Sequence, residues 1–389
     1  GYFIASALNA NRAQNVTKEH ELIQNADLLA LWNAGVAAVQ GRSSVKLALQ
    51  SHDVDRPDLV IAVGKAAASM ACAVHDVFGE LPTLVVTKYD HTQDAPQHAR
   101  IVVSAHPVPD EASLIAGTAI QDAIAGSPTG SHLLFLVSGG ASSLAEVLPD
   151  GMTLADLSKE TQTLLASGKD IHAMNAHRKE ISQIKGGKAL AGFKGRKVTT
   201  LAISDVQGDD VGIIGSGIAA APASHDFEYS SHIVASNQIA RAAAVEKAGT
   251  LVISNSEDMY EDVVTLAPKI AARLRASKDG IYIMGGEPTV VLPPNPGLGG
   301  RNMMLAAMIA REIKGTVGIR VLIAGTDGTD GPTDAAGALV DSQTWDASGH
   351  LAIEQANIAP WLDAKNALIR TGPTGTNVMD LLIAEVCQT

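Results

Sequence analysis

The chain has 389 residues, a formal net charge of −12 and two cysteines. Its 46% apolar and 18% charged content is that of a folded protein and excludes a disordered chain. The acidic balance, with only 3 Trp, 5 Tyr and 5 Phe, argues against a dedicated nucleic-acid surface, which needs clustered cations and stacking rings.

The longest unbroken apolar stretch, MMLAAMIA (303–310), is well short of the roughly 18 residues that a membrane helix needs. Cys72 and Cys387 lie far apart in sequence and have no partners at metal-ligand spacing, so neither a disulfide scaffold nor a zinc site is expected. The stretch 2–8 is largely apolar but lacks the basic start of a secretory signal. A reducing, cytoplasmic compartment is the expectation.

In chain order, a helical pattern over 20–40 leads to a β-branched run, LVIAV (59–63). Further short runs follow: TLVVT (83–87), IVVSA (101–105), LLFLV (133–137), VTTLAI (198–203), IVAS (233–236), IYIM (281–284), TVVL (289–292) and RVLIA (320–324). Apolar residues at most positions suit strands buried on both faces. Helical patterns fall between them at 65–78, 111–125, 153–167, 177–192, 237–248, 257–275 and 302–314. This alternation predicts an α/β protein with a mostly parallel sheet. At 281–292 two strand-like runs flank GGEP, which predicts a hairpin and hence a mixed sheet later in the chain. Gly, Pro and Asp become dense from 285, placing a domain change between about 245 and 280.

Several loops carry candidate chemistry. In AVGKAAASMA (62–71) a strand ends at Gly64 and Lys65 opens an Ala-rich helix, where backbone N–H groups and a mobile cation favour an anion. The plainer alternative is a glycine turn with a solvated lysine. VSGGASSL (137–144) ends a strand in Ser138, Gly139 and Gly140, followed by Ser142 and Ser143; glycines admit a close ligand and hydroxyls can bond phosphate oxygens. It is not a G-x-S-x-G elbow, and an ordinary strand-to-helix turn fits equally well. NAHRKEISQIKGGKALA (175–191) gathers Arg178, Lys179, Lys185 and Lys188 around Gly186 and Gly187, suited either to an anion or to a solvated face.

LAISDVQGDD (201–210) sets Asp205 just past a strand, where a carboxylate can hold a divalent cation, orient a hydroxyl or cap a helix. Later loops offer Glu287 in GGEPTV (285–290) and Arg301 in PGLGGRN (296–302). Asp327, Asp330 and Asp334 lie in GTDGTDGPTDAAGA (325–338), and TGPTGTNVMD (371–380) reads as a turn opening a helix. Together they suggest a polar small-molecule site.

With GKAAASMA, VTKYDH (86–91), HPVPDEAS (106–113), VSGGASSL, LLASGKDIHAMNAHRKEISQIKGGKALA (164–191), ISDVQGDD, ASNQIA (235–240), GGEPTV, GGRN, GTDGTDGPTDAAGA and TGPTGTNV in this order, the chain resembles the glycerate 2-kinase family. That family is built from a MOFRL-associated domain and a MOFRL domain, and its members are often labelled hydroxypyruvate reductases. The resemblance implies a Rossmann-like domain over 1–245 and a MOFRL domain with a mixed sheet over 246–389, its C-terminal helix packing back on the first domain. It implies an active site in the interdomain cleft that uses ATP and Mg2+ to phosphorylate the 2-hydroxyl of D-glycerate.

Carried over by motif, Lys65, Arg301 and Asp205 are the catalytic candidates. Lys65 would stabilise the transferring phosphoryl group, Arg301 would clamp the acceptor carboxylate and Asp205 would meet the metal. Ser138, Gly139, Gly140, Lys185 and Gly186 would surround the nucleotide phosphates, and Glu287, Asp327 and Asp330 would line the cleft with Arg301. The expected partners are ATP and a small hydroxy acid, with no nucleic acid and no membrane; a homodimer is compatible with the family.

Departures from the family pattern are Met303-Met304 after GGRN, SGIAAAP (216–222), the Ala141 and Ser143 substitutions in SGGASSL, and Glu180. They leave a related 2-hydroxy acid open as acceptor. The alternative of an NAD(P)H-dependent hydroxypyruvate reductase needs a G-x-G-x-x-G turn after the first strand, and the chain has none there. A non-catalytic sugar-acid sensor would not need Lys65 or Arg301.

Overall fold

The computed structural model describes residues 2–24, 26–168 and 171–388. The chain forms two compact units: residues 39–236 with 375–378, and residues 1–38 with 237–374 and 379–389. The boundary expected after residue 245 therefore falls inside a helix of the second unit, and residues 1–38 belong to that unit. Two helices open the chain, α1 (Tyr2–Gln24) and α2 (Leu28–Ala37). The single helix expected over 20–40 is broken because Asp27 starts a new one, its carboxylate accepting from the Ala30 N–H. Trp32 of α2 is fully buried, and its indole donates to the Ala324 carbonyl, which ties this segment to the later part of the chain.

The other unit runs α3 (Gly41–Ser51), β1 (Leu59–Val63), α4 (Ala67–Phe78), β2 (Thr83–Lys88), β3 (Arg100–Ser104), α5 (Glu111–Ala125), β4 (His132–Val137), α6 (Ala141–Leu144), α7 (Leu154–Ala166), α8 (Ile171–Ile181), β5 (Lys197–Ile203) and β6 (Glu228–Ala235). Its six strands are all parallel, in the order β3-β2-β1-β4-β5-β6. This is the Rossmann-like order, and its reversal lies between β1 and β4. Alternation sends Ile61, Val63, Leu133, Phe135 and Val137 to the face packed by Ile120 and Ile124 of α5. On the other face Gly41 lies close to Met70 and Ile203. Asp110 and Ser113 begin α5 with reciprocal side-chain-to-backbone bonds.

The second unit continues with α9 (Asn237–Ala248), β7 (Val252–Met259), α10 (Val263–Arg275), β8 (Gly280–Gly286), α11 (Arg301–Glu312), β9 (Ile319–Gly325), β10 (Gly337–Asp341), α12 (Gly349–Glu354), α13 (Ile358–Ala364), β11 (Leu368–Ile369) and β12 (Asp380–Val386). Its sheet is mixed, in the order β11-β10-β9-β12-β8-β7, with only the β7–β8 pair parallel.

Three expectations are corrected here. The segment 371–380 opens no helix, and among the described residues no helix follows it: DLLIAEV is buried along its whole length and forms the central strand β12. TVVL (289–292) makes no hairpin with β8; only Thr289 bridges, to Asp262, while Val291 is 86% exposed. The helix expected from 257 begins at Val263, where Asp262 caps it; before it lies β7, an edge strand too polar to show an apolar run.

Cys387 also gains neighbours that its spacing concealed. His20, Asp279 and Cys387 bring their ligating atoms within 4.8 Å of one another. The sulfur is 3.3 Å from Nδ1 and 3.6 Å from Nε2 of His20. Near-equal distances put it against the ring face and not along a nitrogen lone pair. Both cysteines are free thiols. No helix among the described residues is long and apolar enough to cross a membrane.

Candidate active site

In open α/β sheets ligands bind at the carboxyl ends of the strands, where the strand order reverses. Here Val63 pairs with Val137, so the turns after β1 and β4 emerge side by side. The Lys65 N–H donates to the Gly139 carbonyl at 2.9 Å, and the Ala66 N–H donates to Ser138 Oγ at 3.1 Å. Ser138, expected at the phosphates, is buried and its hydroxyl holds the β1 turn. Gly64 sits at φ 131°, and a Cβ there would meet Ser138 Oγ at 2.1 Å. Both conditions require glycine.

Lys65 is half-buried, and its ammonium makes no hydrogen bond or ion pair among the described residues. Its charge acts on Asp205 and His106. Burial raises the Asp205 carboxyl above its ordinary value, opposed by a backbone hydrogen bond and by Lys65. Gly139 is what lets this carboxylate approach the β4 turn: a Cβ on it would lie 2.7 Å from Asp205 Oδ2 and 3.5 Å from Asn377 Nδ2. Burial, reinforced by Lys65, Lys88 and His91, lowers His106 to about 4, so its imidazole is neutral at neutral pH.

Beside these turns lies a cavity of about 460 Å3, whose walls include Gly140, Ser142, Lys185, Asp205 and Ser216, with His106 and Arg178. Ser142 Oγ and Ser216 Oγ are 2.9 Å apart. The four cations of 175–191 have different roles. Lys188 donates to the carbonyls of Lys179, Glu180 and Ser182 and closes the end of α8. Lys179 donates to the Gly212 carbonyl. Lys185 is buried against Glu146. Arg178 alone of the four faces the cavity with no guanidinium partner among the described residues. Gly186 donates its N–H to the Ser216 carbonyl, so it fixes the loop behind the cavity.

The second group of expected residues belongs to the other unit. Arg301 opens α11 and grips Asp380, with Nε to Oδ2 at 2.7 Å and Nη2 to Oδ1 at 3.2 Å; Nη1 lies 3.4 Å from Glu287 Oε1. Burial works against the arginine charge, but Asp380, then Glu287 and Asp330, hold its pKa above the ordinary value. The fork expected to meet a substrate carboxylate is thus engaged on its Nε side. Asp327 accepts from the Thr329 N–H, and Glu287 is exposed.

Asp330 is the third residue expected to line the cleft. It is 2% exposed and accepts the N–H groups of Asn302 (3.0 Å) and Met303 (2.7 Å), capping α11. Burial lifts its carboxyl to about 7 against those two bonds.

Sequence reasoning did not select His106, Glu146 or Asp380. His106 lies in HPVPDEAS and Asp380 closes TGPTGTNVMD, but Glu146 lies in no motif. Met303 and Met304, which depart from the family pattern, are buried in the core. Ser143 and Ser216, from the other altered motifs, do line the cavity.

The family comparisons agree with this architecture. The domain of unknown function DUF4147 matches residues 27–250, and the MOFRL family matches 280–380. The D-glycerate 2-kinase of Thermotoga maritima is 34% identical, over 90% of this chain and 95% of its own. The glycerate 2-kinase of Pyrococcus horikoshii is 31% identical, over 84% of this chain and 87% of its own. A crystal structure of the Thermotoga maritima glycerate kinase aligns with a TM-score of 0.81 at 30% identity, covering 96% of this chain and all of that one. The chain belongs to the glycerate 2-kinase family, in which a DUF4147 domain precedes a MOFRL domain.

Proposed function

We propose that this protein is a kinase that transfers the γ-phosphoryl group of ATP to the 2-hydroxyl of D-glycerate, giving 2-phosphoglycerate and ADP. The observation that carries the reading is the cavity at the switch point of the parallel sheet. There Arg178 and Lys185 face inward, and Lys65 stands unpaired at the adjoining turn. Named relatives with this activity span almost the whole chain. We read the two compact units as the family's two domains.

Phosphoryl transfer depends mainly on positioning and on neutralising charge. Arg178 and Lys185 bind phosphate oxygens, with Gly140 and the Ser142 and Ser216 hydroxyls beside them. Lys65, before the N-terminus of α4, meets charge that develops during transfer. Arg301 holds the acceptor carboxylate through the guanidinium edge that Asp380 leaves open, with Glu287 and Asp327 shaping the polar surroundings.

The residues present also fit a magnesium ion. Asp205 forms no ion pair among the described residues, and Asp209 in the same loop has a buried Oδ1 with no partner. An oxygen-only set of one or two carboxylates suits Mg2+, which shares its shell with phosphates and water. When bound, the ion supplies charge neutralisation at the phosphates. A reducing cytoplasmic setting and freedom from nucleic acid and membrane complete the reading.

An assay of ADP release over a panel of 2-hydroxy acids, with phosphorus NMR of the product, tests it. D-Glycerate should give a 2-phosphate. Oxidation of NADH by hydroxypyruvate, with no ADP released from any acid, overturns it.

A further inference from the structure

Glu146 belongs to no motif, yet it is the most completely engaged carboxylate around the cavity. It follows α6 and is 2% exposed. Its backbone N–H donates to the Ser113 carbonyl. Its Oε1 accepts from the Val147 N–H at 3.0 Å and from Ser182 Oγ, and its Oε2 pairs with Lys185 Nζ. Both oxygens are committed, so the carboxylate cannot swing toward another partner. Lys185 is equally buried, at 2%. Among the described residues its ammonium has no side-chain partner except Glu146, which leaves donors for a ligand. Burial lowers the Lys185 pKa, and Glu146 opposes this. The residues around the lysine are also fixed: Ser182 Oγ accepts the Ile184 and Lys185 N–H groups, and Lys188 closes the end of α8.

A buried lysine sheds its proton unless a counter-charge holds it. Buried ion pairs are weak devices for stability, since well-packed apolar replacements are often neutral. Retaining one in a cavity wall beside the unpartnered Arg178 therefore points to a use for the cation itself. We propose that Glu146 is a positioning residue. It fixes the Lys185 ammonium next to Arg178, so that the two cations take neighbouring oxygens of one polyphosphate. This rests on the reading that the cavity receives the phosphates of ATP.

The test compares the full-length protein with R178A, E146Q and the double variant E146L/K185M. It measures melting temperature, calorimetric binding of inorganic triphosphate, and KM for ATP against kcat. E146Q should melt earlier, and its KM for ATP should begin to rise with pH at a lower pH than in the unaltered protein. E146L/K185M should regain the melting temperature yet bind triphosphate at least tenfold more weakly, with KM raised more than kcat is lowered. A folded double variant that binds triphosphate within twofold of the unaltered protein overturns the proposal.

If R178A weakens binding and the double variant does not, the positioning role falls while the cavity reading stands. If neither variant changes binding, both fall. Should the double variant not fold, E146D decides, because it keeps the charge but withdraws it by one methylene. A several-fold rise in KM is expected, and an unchanged KM in the folded protein overturns the proposal.

Discussion

Arg301 and Asp380 meet as a fork on a carboxylate, 2.7 and 3.2 Å across its two arms, with the aspartate almost fully buried and the arginine about one-third exposed. The partner that aims this guanidinium is therefore intramolecular. R301K keeps the charge but cannot reproduce the planar two-armed contact. It should lower kcat/KM for the acceptor by about 100-fold, a loss in the range of removing one charge-assisted contact at a preorganised site. The KM for ATP should change little. Steady-state kinetics with each substrate varied in turn check this.

Lys65 should contribute to the chemical step. K65A is expected to lower kcat by on the order of 100- to 1000-fold, with a smaller change in acceptor KM. The protein should remain folded by circular dichroism, because the lysine side chain makes no hydrogen bond or ion pair among the described residues. Near-normal turnover in the folded variant would remove the centre of the mechanism.

Gly139 should tolerate no side chain. G139A places a methyl group 2.7 Å from Asp205 Oδ2, and the neighbouring carboxylate must move. Activity is expected to fall at least tenfold. Stability should drop by about 1–3 kcal/mol, as in other overpacked sites. Thermal melts beside activity assays read the two effects separately.

Asp330 gives a pH signature. Burial raises its carboxyl from the ordinary 3.8 to about 7. Between those values the folded state holds a proton that the unfolded state has released. Its contribution to stability is therefore complete below about 4 and is lost as the pH rises through about 7. D330N carries no such titration. The difference in melting temperature between the unaltered protein and D330N should shrink from pH 5 to pH 8. A carbon-13 carboxyl titration should find a midpoint near neutrality. A constant difference in melting temperature would contradict this assignment.

The parallel half was legible because its strands are buried on both faces. LVIAV and LLFLV read as strands without ambiguity, and their reversal places Lys65 and Gly139 side by side. The mixed sheet was harder. VISNSEDM lies at an edge, half-exposed and polar, and DLLIAEV follows a glycine-rich loop that reads as a helix start. Motif glycines and cations were visible as residue types, but their partners were not. Glu146 meets Lys185 across 39 positions and Asp380 meets Arg301 across 79, and no periodicity encodes either pairing. Asp330 looked like an open-site carboxylate because its burial arises only when α11 docks over it.

The place of β12 sets an order of assembly. It comes after every other strand of this sheet in sequence, yet it lies between β8 and β9, which do not pair with each other. Until it arrives, that sheet can exist only as two fragments, β7–β8 and β9–β10–β11, each with an unpaired edge. Such edges invite other chains, so this sheet depends on protection until β12 inserts. Loss of β12 alone would leave two unjoined fragments where the sheet should be.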